Sequence, residues 1–560
     1  MKHISIFLLL STITISTTFA GTYDDVVTIF NTSCAFSSCH DSSNPAADID
    51  FSLNGNEIYS QLINVTPQNT TAAAKNNKLV KPGDPARSFL YRKMNYNLHT
   101  DSELTTGENS GMPTGGALDN HQIELVRQWI LFGAKNDGAT YVNPDILEEY
   151  YTMGGLDALE APEAPAVGEG YQIQLGPIFL APGEEREYIY RYELQNEEAL
   201  ETNNIEVLMN QQSHHFLFFK FNDGEEFAQA DGLIGVTGLG GNSGQAITSD
   251  TKMVGGWAYS RNLELPEGTA FKWDQNQVLK LNYHILNYST TGILPATLYV
   301  NVYTQPEGTA LMEMHSEFHL SIEEDQTVGL IFPPGESEHS WHMSNFEEST
   351  GNNDTVHIWT LGSHTHKYGV DFDVFLNDDG QLGEQVYEGF YNLDYTTLLN
   401  YYNYAEPAFR IFDDEYLSIR DGDGLFIEGV YNNTSSQIVT AGLTTEDEMF
   451  GVFLNYLVGD ISVLEQDTTP IVGLNELQQN SNWQVYPNPT TGQVSLILPK
   501  NIDDLNIEVY NTAGELLFGE AITNGASKWH LNLENQLNGI YIVQLKANNF
   551  NEIQKLTVHR

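Results

Sequence analysis

Two kinds of hydrophobic patterning follow one another along the chain, and each predicts a different element. His121–Ala134 (HQIELVRQWILFGA) sets Ile123, Val126, Ile130 and Leu131 on one stripe at helical spacing. That stripe predicts an amphipathic helix within a region, 21–145, that mixes helical signals with Gly/Pro/Asn-rich turns. From about 171 to 460 the chain changes to short alternating runs such as EEREYIYRYEL, HHFLFFKF and VLKLNYHIL, broken by Gly and Asn turns. Such runs predict antiparallel β-sandwich structure, and the length suits two sandwiches, 171–330 and 331–460. Residues 146–170, rich in Glu, Ala, Pro and Gly, read as a linker and 461–483 as a second one. A small β unit, 484–560, closes the chain. The expected class is multidomain and mainly β, with a small α-helical domain in front.

The first residues fit none of these patterns. Met1-Lys2-His3 gives a basic start, Ile4–Ile15 an apolar run, and Thr18 and Ala20 small residues at −3 and −1, so 1–20 reads as a secretory signal peptide cut after Ala20. The run is too short to span a bilayer, and no later segment approaches the ~20 apolar residues a spanning helix needs. An exported chain without a membrane span is expected. Its 560 residues suit three to four domains. Asp plus Glu number 75 against 24 Lys plus Arg, a formal charge of −51. That charge repels phosphate backbones and anionic lipid and excludes nucleic acid as a partner. Charged residues make up only 18% of the chain, too few for a mostly disordered acidic protein.

Export permits disulfides, yet the chain has two cysteines, Cys34 and Cys39, five positions apart in Cys-Ala-Phe-Ser-Ser-Cys-His40. Two thiols followed by a His suit covalent haem attachment, although the usual spacer is two residues and this one is four. A small disulfide loop with an incidental His fits the spacing equally well.

Of 16 histidines, three groups fall on strand-like runs: His214-His215, His284, and His364-Thr365-His366. Residues two apart on a strand share a face, so His364 and His366 can hold one metal. Adjacent residues diverge, so His214 and His215 can share one only if the strand is bulged there. His315 and His319 lie four apart in a stretch that alternates like a strand, which separates them. His339, His342 and His357 are expected in turns or strand edges, and Asp413, Asp414, Asp421 and Asp423 as solvated turn residues.

Three resemblances join these pieces. With KPGDPARSFLYRKM at 81–94, Gly111-Met112-Pro113 and the helix ending at Ala134, residues 24–135 resemble the small cytochrome c-like domains of secreted bacterial proteins. The resemblance implies haem c bound through Cys34 and Cys39, with His40 as proximal and Met112 as distal iron ligand. Across 170–460, the order HH, H, HTH and Glu448-Met449 resembles the copper type II ascorbate-dependent monooxygenases. Ala181-Pro-Gly-Glu-Glu185, Gly255-Gly-Trp257 and Leu265-Pro-Glu-Gly268 add to the likeness. It implies two jelly-roll-like sandwiches and two coppers per chain: His214, His215 and His284 at an electron-storing site, and His364, His366 and Met449 at an oxygen-binding site. Imidazoles hold both copper states, and a thioether favours Cu(I). The sandwiches lack the disulfides usual in that family. Gly362 stands where its peptide-specific members place a carboxylate-gripping arginine, so a peptide ending in glycine is not the expected substrate.

Finally, Val485-Tyr-Pro-Asn-Pro489, Thr-Thr-Gly492, IEVYNTAGELL and LNGIYIVQL resemble the C-terminal sorting domain of type IX secretion. This implies passage through that machinery to a secreted or cell-surface location. The combined expectation is an exported monooxygenase that inserts one oxygen of O2 into a substrate C–H bond. Its two electrons would come from an external donor such as ascorbate or through the fused haem. The alternative is a non-catalytic copper/haem redox or binding protein.

Overall fold

The computed structural model describes residues 21–465 apart from 44, 117, 212, 226–230, 238–249, 322–329, 345, 347, 349–353, 379–380, 390–408, 413–414, 421–422 and 443–445. Beyond these it describes 484–486, 490, 492–497, 505–511, 516–522, 528–533, 536, 539–547 and 550–558. The signal peptide, Asp413, Asp414, Asp421 and most of the second linker lie outside the described residues. Two compact units divide the chain, Met1–Asp467 and Thr468–Arg560.

The first unit opens with short helices whose starts are set by capping. Asn54 accepts from the N–H of Glu57 ahead of Gly55–Leu62, and Asp119 with Gln122 forms a capping box at Asn120–Leu131. The expected stripe of that helix is buried: Ile123 1% exposed, Val126 and Ile130 0%, Leu131 3%. Tyr23, from Thr22–Ser33, stacks on Trp129 at 5.2 Å. The same helix also buries Glu124, Arg127 and Gln128, because its polar face meets the first sandwich. Arg127 donates to the carbonyl of Gly176, and Gln128 Nε2 donates to that of Pro177 at 2.6 Å. A further helix, Pro144–Met153, occupies the start of the stretch that reads as a linker. Asn143 caps it, Pro144 takes the first turn, where no N–H is needed, and Leu147 is buried. The Glu/Pro/Gly content of 146–170 hides that helix.

In the first sandwich, one sheet runs in the order Gly170–Leu180, Leu294–Pro306, Leu200–Met209, Thr269–Trp273, Met312–Glu313, with Arg261–Glu264 pairing Leu200–Met209. The other runs Gly232–Thr237, Glu185–Glu193, Val278–Leu286, Ser213–Phe221, Thr251–Trp257. One continuous apolar core joins this sandwich to the helices.

The second sandwich has its own core. One sheet carries His315–Leu320, Phe450–Val458 and Thr355–Thr365 side by side. The other runs Gly335–Met343, Leu425–Asn433, Gly369–Asp378, Gln381–Glu388. His315–Leu320, which the division at 330 assigns to the first sandwich, pairs with Phe450–Val458 of the second. Alternation reveals a strand but not its partner.

The second unit holds a three-stranded and a four-stranded antiparallel sheet around Val494, Leu496, Ile507, Val509, Val543 and Leu545. Among the described residues no helix is long and apolar enough to cross a membrane.

Candidate metal centre

Two neighbouring strands of the first sandwich supply three of the histidines. Along the Ser213–Phe221 strand the pairing to Val278–Leu286 steps from Ser213 opposite Ile285 to His215 opposite His284, so His214 is the extra residue of a β-bulge. The bulge is the condition for adjacent histidines to converge, and they do. Ring centroids lie 5.3 Å apart for His214 and His215, 4.7 Å for His214 and His284, and 5.0 Å for His215 and His284.

The second sandwich supplies the others. His364 lies opposite Gly451 and Thr365 opposite Phe450. Met449, 6% exposed, follows Glu448, whose carboxylate accepts from the backbone N–H groups of both His366 and Met449. The rings of His364 and His366 are 5.3 Å apart. His364 packs edge-on against Phe318 at 5.8 Å, and that ring stacks on Phe453 at 3.9 Å.

The two groups meet at His214. Its ligand atom lies within 4.8 Å of those of His364 and His366, and within the same limit of those of His215 and His284. The five histidines therefore form one contiguous cluster between the sandwiches, with ring separations of 5.1 Å for His214–His366 and 6.1 Å for His215–His364.

Ring chemistry tests whether the cluster suits a metal. His214 Nε2, both ring nitrogens of His215, His284 Nδ1 and His366 Nε2 are buried with no hydrogen-bond partner. So many orphaned buried nitrogens would be expensive unless their lone pairs had an acceptor such as a metal ion. Burial, reinforced by the neighbouring histidines, holds His214 and His364 well below the usual imidazole range. Burial likewise brings His366 down to about 4 despite its bond to the Asp447 carbonyl. The rings of His214, His364 and His366 are thus neutral near pH 7, the form that ligates metals. The donor set, clustered neutral imidazoles, fits copper.

Carboxylates and carbonyls orient the rings from outside. His284 Nε2 pairs with Glu185 Oε1 at 2.9 Å, leaving Nδ1 for a ligand. Glu187 Oε1 stands 3.7 Å from His215 Nε2, beyond hydrogen-bond range, and accepts from Asn282 at 2.9 Å. His366 Nδ1 bonds the Asp447 carbonyl at 3.1 Å. Glu448, 0% exposed, accepts from the backbone N–H groups of His366, Tyr368 and Met449 and so ties the HTH turn to the Met449 segment. Burial pushes its carboxyl up to about 7 against those bonds. Sequence reasoning gave Glu185, Glu187 and Glu448 no role. Glu185 and Glu187 alternate on one strand beside His284, a pattern that shows its meaning only once strand pairing is known.

The remaining candidates lie elsewhere. Cys34 and Cys39 are free and half-buried, and burial pushes the Cys34 thiol up to about 11. His40 Nδ1 bonds the Ile49 carbonyl at 3.1 Å, and its ring meets the edge of Phe51. Met112 is 38% exposed on the turn before Asn120–Leu131. None of Cys34, Cys39 and His40 belongs to a group of three close metal-ligating side chains among the described residues. His339 and His342 lie on Gly335–Met343, the edge strand of its sheet, and His357 on Thr355–Thr365, inside its sheet. His339 bonds Ser337, and His342 the Asp423 carbonyl. His357 is held by Ser418 and the Gly459 carbonyl. At Gly362 an added Cβ would lie 2.6 Å from Phe409, so that ring fills the place of a side chain.

Comparison with known proteins agrees with part of this picture. Residues 322–475 match the family model of the copper type II ascorbate-dependent monooxygenase C-terminal domain, and residues 484–559 that of the secretion system C-terminal sorting domain. No curated protein matches the chain. Similar solved structures include a β-glucuronidase from Ruminococcus gnavus, at 11% identity over 40% of this chain and 36% of that one, with TM-score 0.16. Another is a β-D-glucuronidase from Dictyoglomus thermophilum, at 10% identity over 46% and 40%, also with TM-score 0.16. The chain spans well under half the length of either, and likeness at that level carries no argument. At the level of family, the segment that supplies His364, His366 and Met449 is similar to copper- and ascorbate-dependent monooxygenases, and the tail to sorting domains that direct export.

Proposed function

We propose that the chain is an exported copper monooxygenase that hydroxylates a C–H bond of an organic substrate. The observation that carries this reading is the convergence of five histidines between two sandwiches, four of them with orphaned, buried ring nitrogens. Copper, when bound, would supply the one-electron steps and the activation of O2. His214, His215 and His284 would hold one ion and His364, His366 and Met449 the other, with His214 also within reach of the second. Glu185 orients His284, and the Asp447 carbonyl fixes which His366 nitrogen faces the metal. Phe318 and Phe453 keep water from one side of His364. A groove of about 1010 Å³ runs past Asn210 and Gln211, just ahead of the bulge, and past Tyr259. Its size suits a small organic molecule.

Met449 separates an enzyme from a copper protein that hydroxylates nothing. Met449→Ala is expected to reduce reductant-dependent O2 consumption and product formation by at least the roughly 10–100-fold typical of losing a ligand's support. Copper content, measured in parallel, shows whether the ion is retained. Unchanged O2 consumption in Met449→Ala would overturn the mechanism.

The N-terminal helices are proposed to carry haem c, with Cys34 and Cys39 as attachment points, His40 as proximal and Met112 as distal ligand, passing electrons toward the copper pair. The bond from His40 Nδ1 to Ile49 supports this, since it leaves Nε2 for iron. Full-length protein made in a host that matures c-type cytochromes is expected to keep its haem through acid–acetone extraction, and Cys34→Ser/Cys39→Ser to release it. A haem-free product from that host counts against the assignment. The tail at 484–559 and the signal peptide are proposed to bring the protein to the cell surface or the medium.

A further inference from the structure

The chain carries 75 acidic residues against 24 basic ones, so an arginine without an acidic partner stands out. Arg87, Arg92, Arg127, Arg186, Arg191 and Arg420 each pair with a carboxylate. Arg261 pairs with none among the described residues. Its Nη2 reaches the Gly256 carbonyl at 3.3 Å, and its Nε is buried without a partner. Burial pulls its guanidinium below the usual arginine range. The guanidinium lies over the Phe409 ring at 4.3 Å and the Tyr259 ring at 5.9 Å. A cation held against two rings, with its Nε unpartnered, keeps a donor that an anion could take.

Its position gives the anion a role. Tyr259 also lines the large groove. On the other side, Arg261 walls a narrow crevice with Phe409, Phe453 and Asn455. Phe453 is in ring contact with His364 at 6.2 Å, and Phe409 covers Gly362, two residues before His364 on the same strand face. Glu317, also on the crevice wall, is already engaged by the Tyr456 hydroxyl and by His319. Arg261 therefore stands between the groove and the wall of the His364 group.

We propose that Arg261 is a substrate-binding residue that receives a carboxylate, and that the substrates are organic acids whose apolar part lies in the groove past Tyr259. The inference rests on the monooxygenase reading for the word substrate, but the binding itself can be measured without turnover.

The test is calorimetric titration of the copper-loaded, full-length protein with 3-phenylpropanoate and with its neutral amide. The acid is expected to bind at least about tenfold more tightly than the amide, as a charge-assisted Arg–carboxylate contact implies. Arg261→Gln should abolish that preference while copper content stays at the wild-type value, and Arg261→Lys should retain part of it. Equal binding of acid and amide to the wild type, no saturable binding of the acid, or a preference that survives Arg261→Gln would each overturn the proposal. The wild-type comparison needs no variant to fold. Failure of the monooxygenase reading would show separately, as absence of copper or of reductant-dependent O2 uptake.

Discussion

His214→Ala is expected to weaken copper binding at both positions, whereas His215→Ala and His366→Ala each weaken one. The reason is geometric. The His214 ligand atom lies within 4.8 Å of those of His215 and His284 on one side and of His364 and His366 on the other. It reaches both groups because the bulge at Ser213/His215 turns it out of the regular strand. Losing a residue that orients a ligand costs roughly 10–100-fold in metal affinity, so losing a ligand common to both groups should exceed that at each. Metal analysis after dialysis against a weak chelator reads the result. About two equivalents are expected in the wild type, about one in His215→Ala and close to none in His214→Ala. If His214→Ala keeps one tightly bound copper, the cluster works as two independent sites and His214 belongs to only one.

That shared position marks the limit of what can be read from sequence. Period two along a strand was enough to put His364 and His366 on one face, and the bulge required for His214 and His215 could be named as a condition before it was seen. The meeting of the two groups could not, because it depends on how separate sandwiches face each other, and no local pattern encodes that. The same holds for Arg261 and Phe409, which lie 148 positions apart in the chain and meet as cation and ring. Composition misled where it stood in for geometry. The Glu- and Pro-containing segment after Asn143 folds as a helix because its cap and its buried Leu147 outweigh its linker-like content. The strand holding His315 crosses the expected domain boundary because alternation is blind to partners. Of the remaining histidines, His339 and His342 do lie on an edge strand, whereas His357 is inside its sheet, held by Ser418 and the Gly459 carbonyl.

Glu124→Ala is expected to loosen the contact between the helices and the first sandwich, with a loss on the order of 3–5 kcal/mol, the usual result of stripping one partner from a buried ion pair. Glu124 is 0% exposed and meets four side chains: His99 Nε2 at 2.6 Å, Gln128 Nε2 at 2.7 Å, the Tyr151 hydroxyl at 3.1 Å and Arg127 Nη1 at 3.4 Å. Its removal would strand Arg127, the side chain that clasps the Gly176 and Pro177 carbonyls. Burial alone would raise the Glu124 carboxyl, but His99 and Arg127 hold it down at about 2. Between pH 2 and the ordinary 4.5 the unfolded chain binds the extra proton, so stability rises with pH through that window. The contribution is complete above about pH 5 and fades as the pH falls toward 2. Amide hydrogen exchange of Asn120–Leu131 isolates this contact from the other domains, whose unfolding need not be concerted with it. Protection there should drop in Glu124→Ala at pH 7, and in the wild type as the pH is lowered below 4. The five histidines do not depend on it, because Gly176 and Pro177 belong to the opposite sheet of the sandwich from Ser213–Phe221 and Val278–Leu286. Copper content in Glu124→Ala should therefore match the wild type. Unchanged protection in Glu124→Ala would show that the apolar contacts of Trp129 and Ile130 alone hold the helix in place.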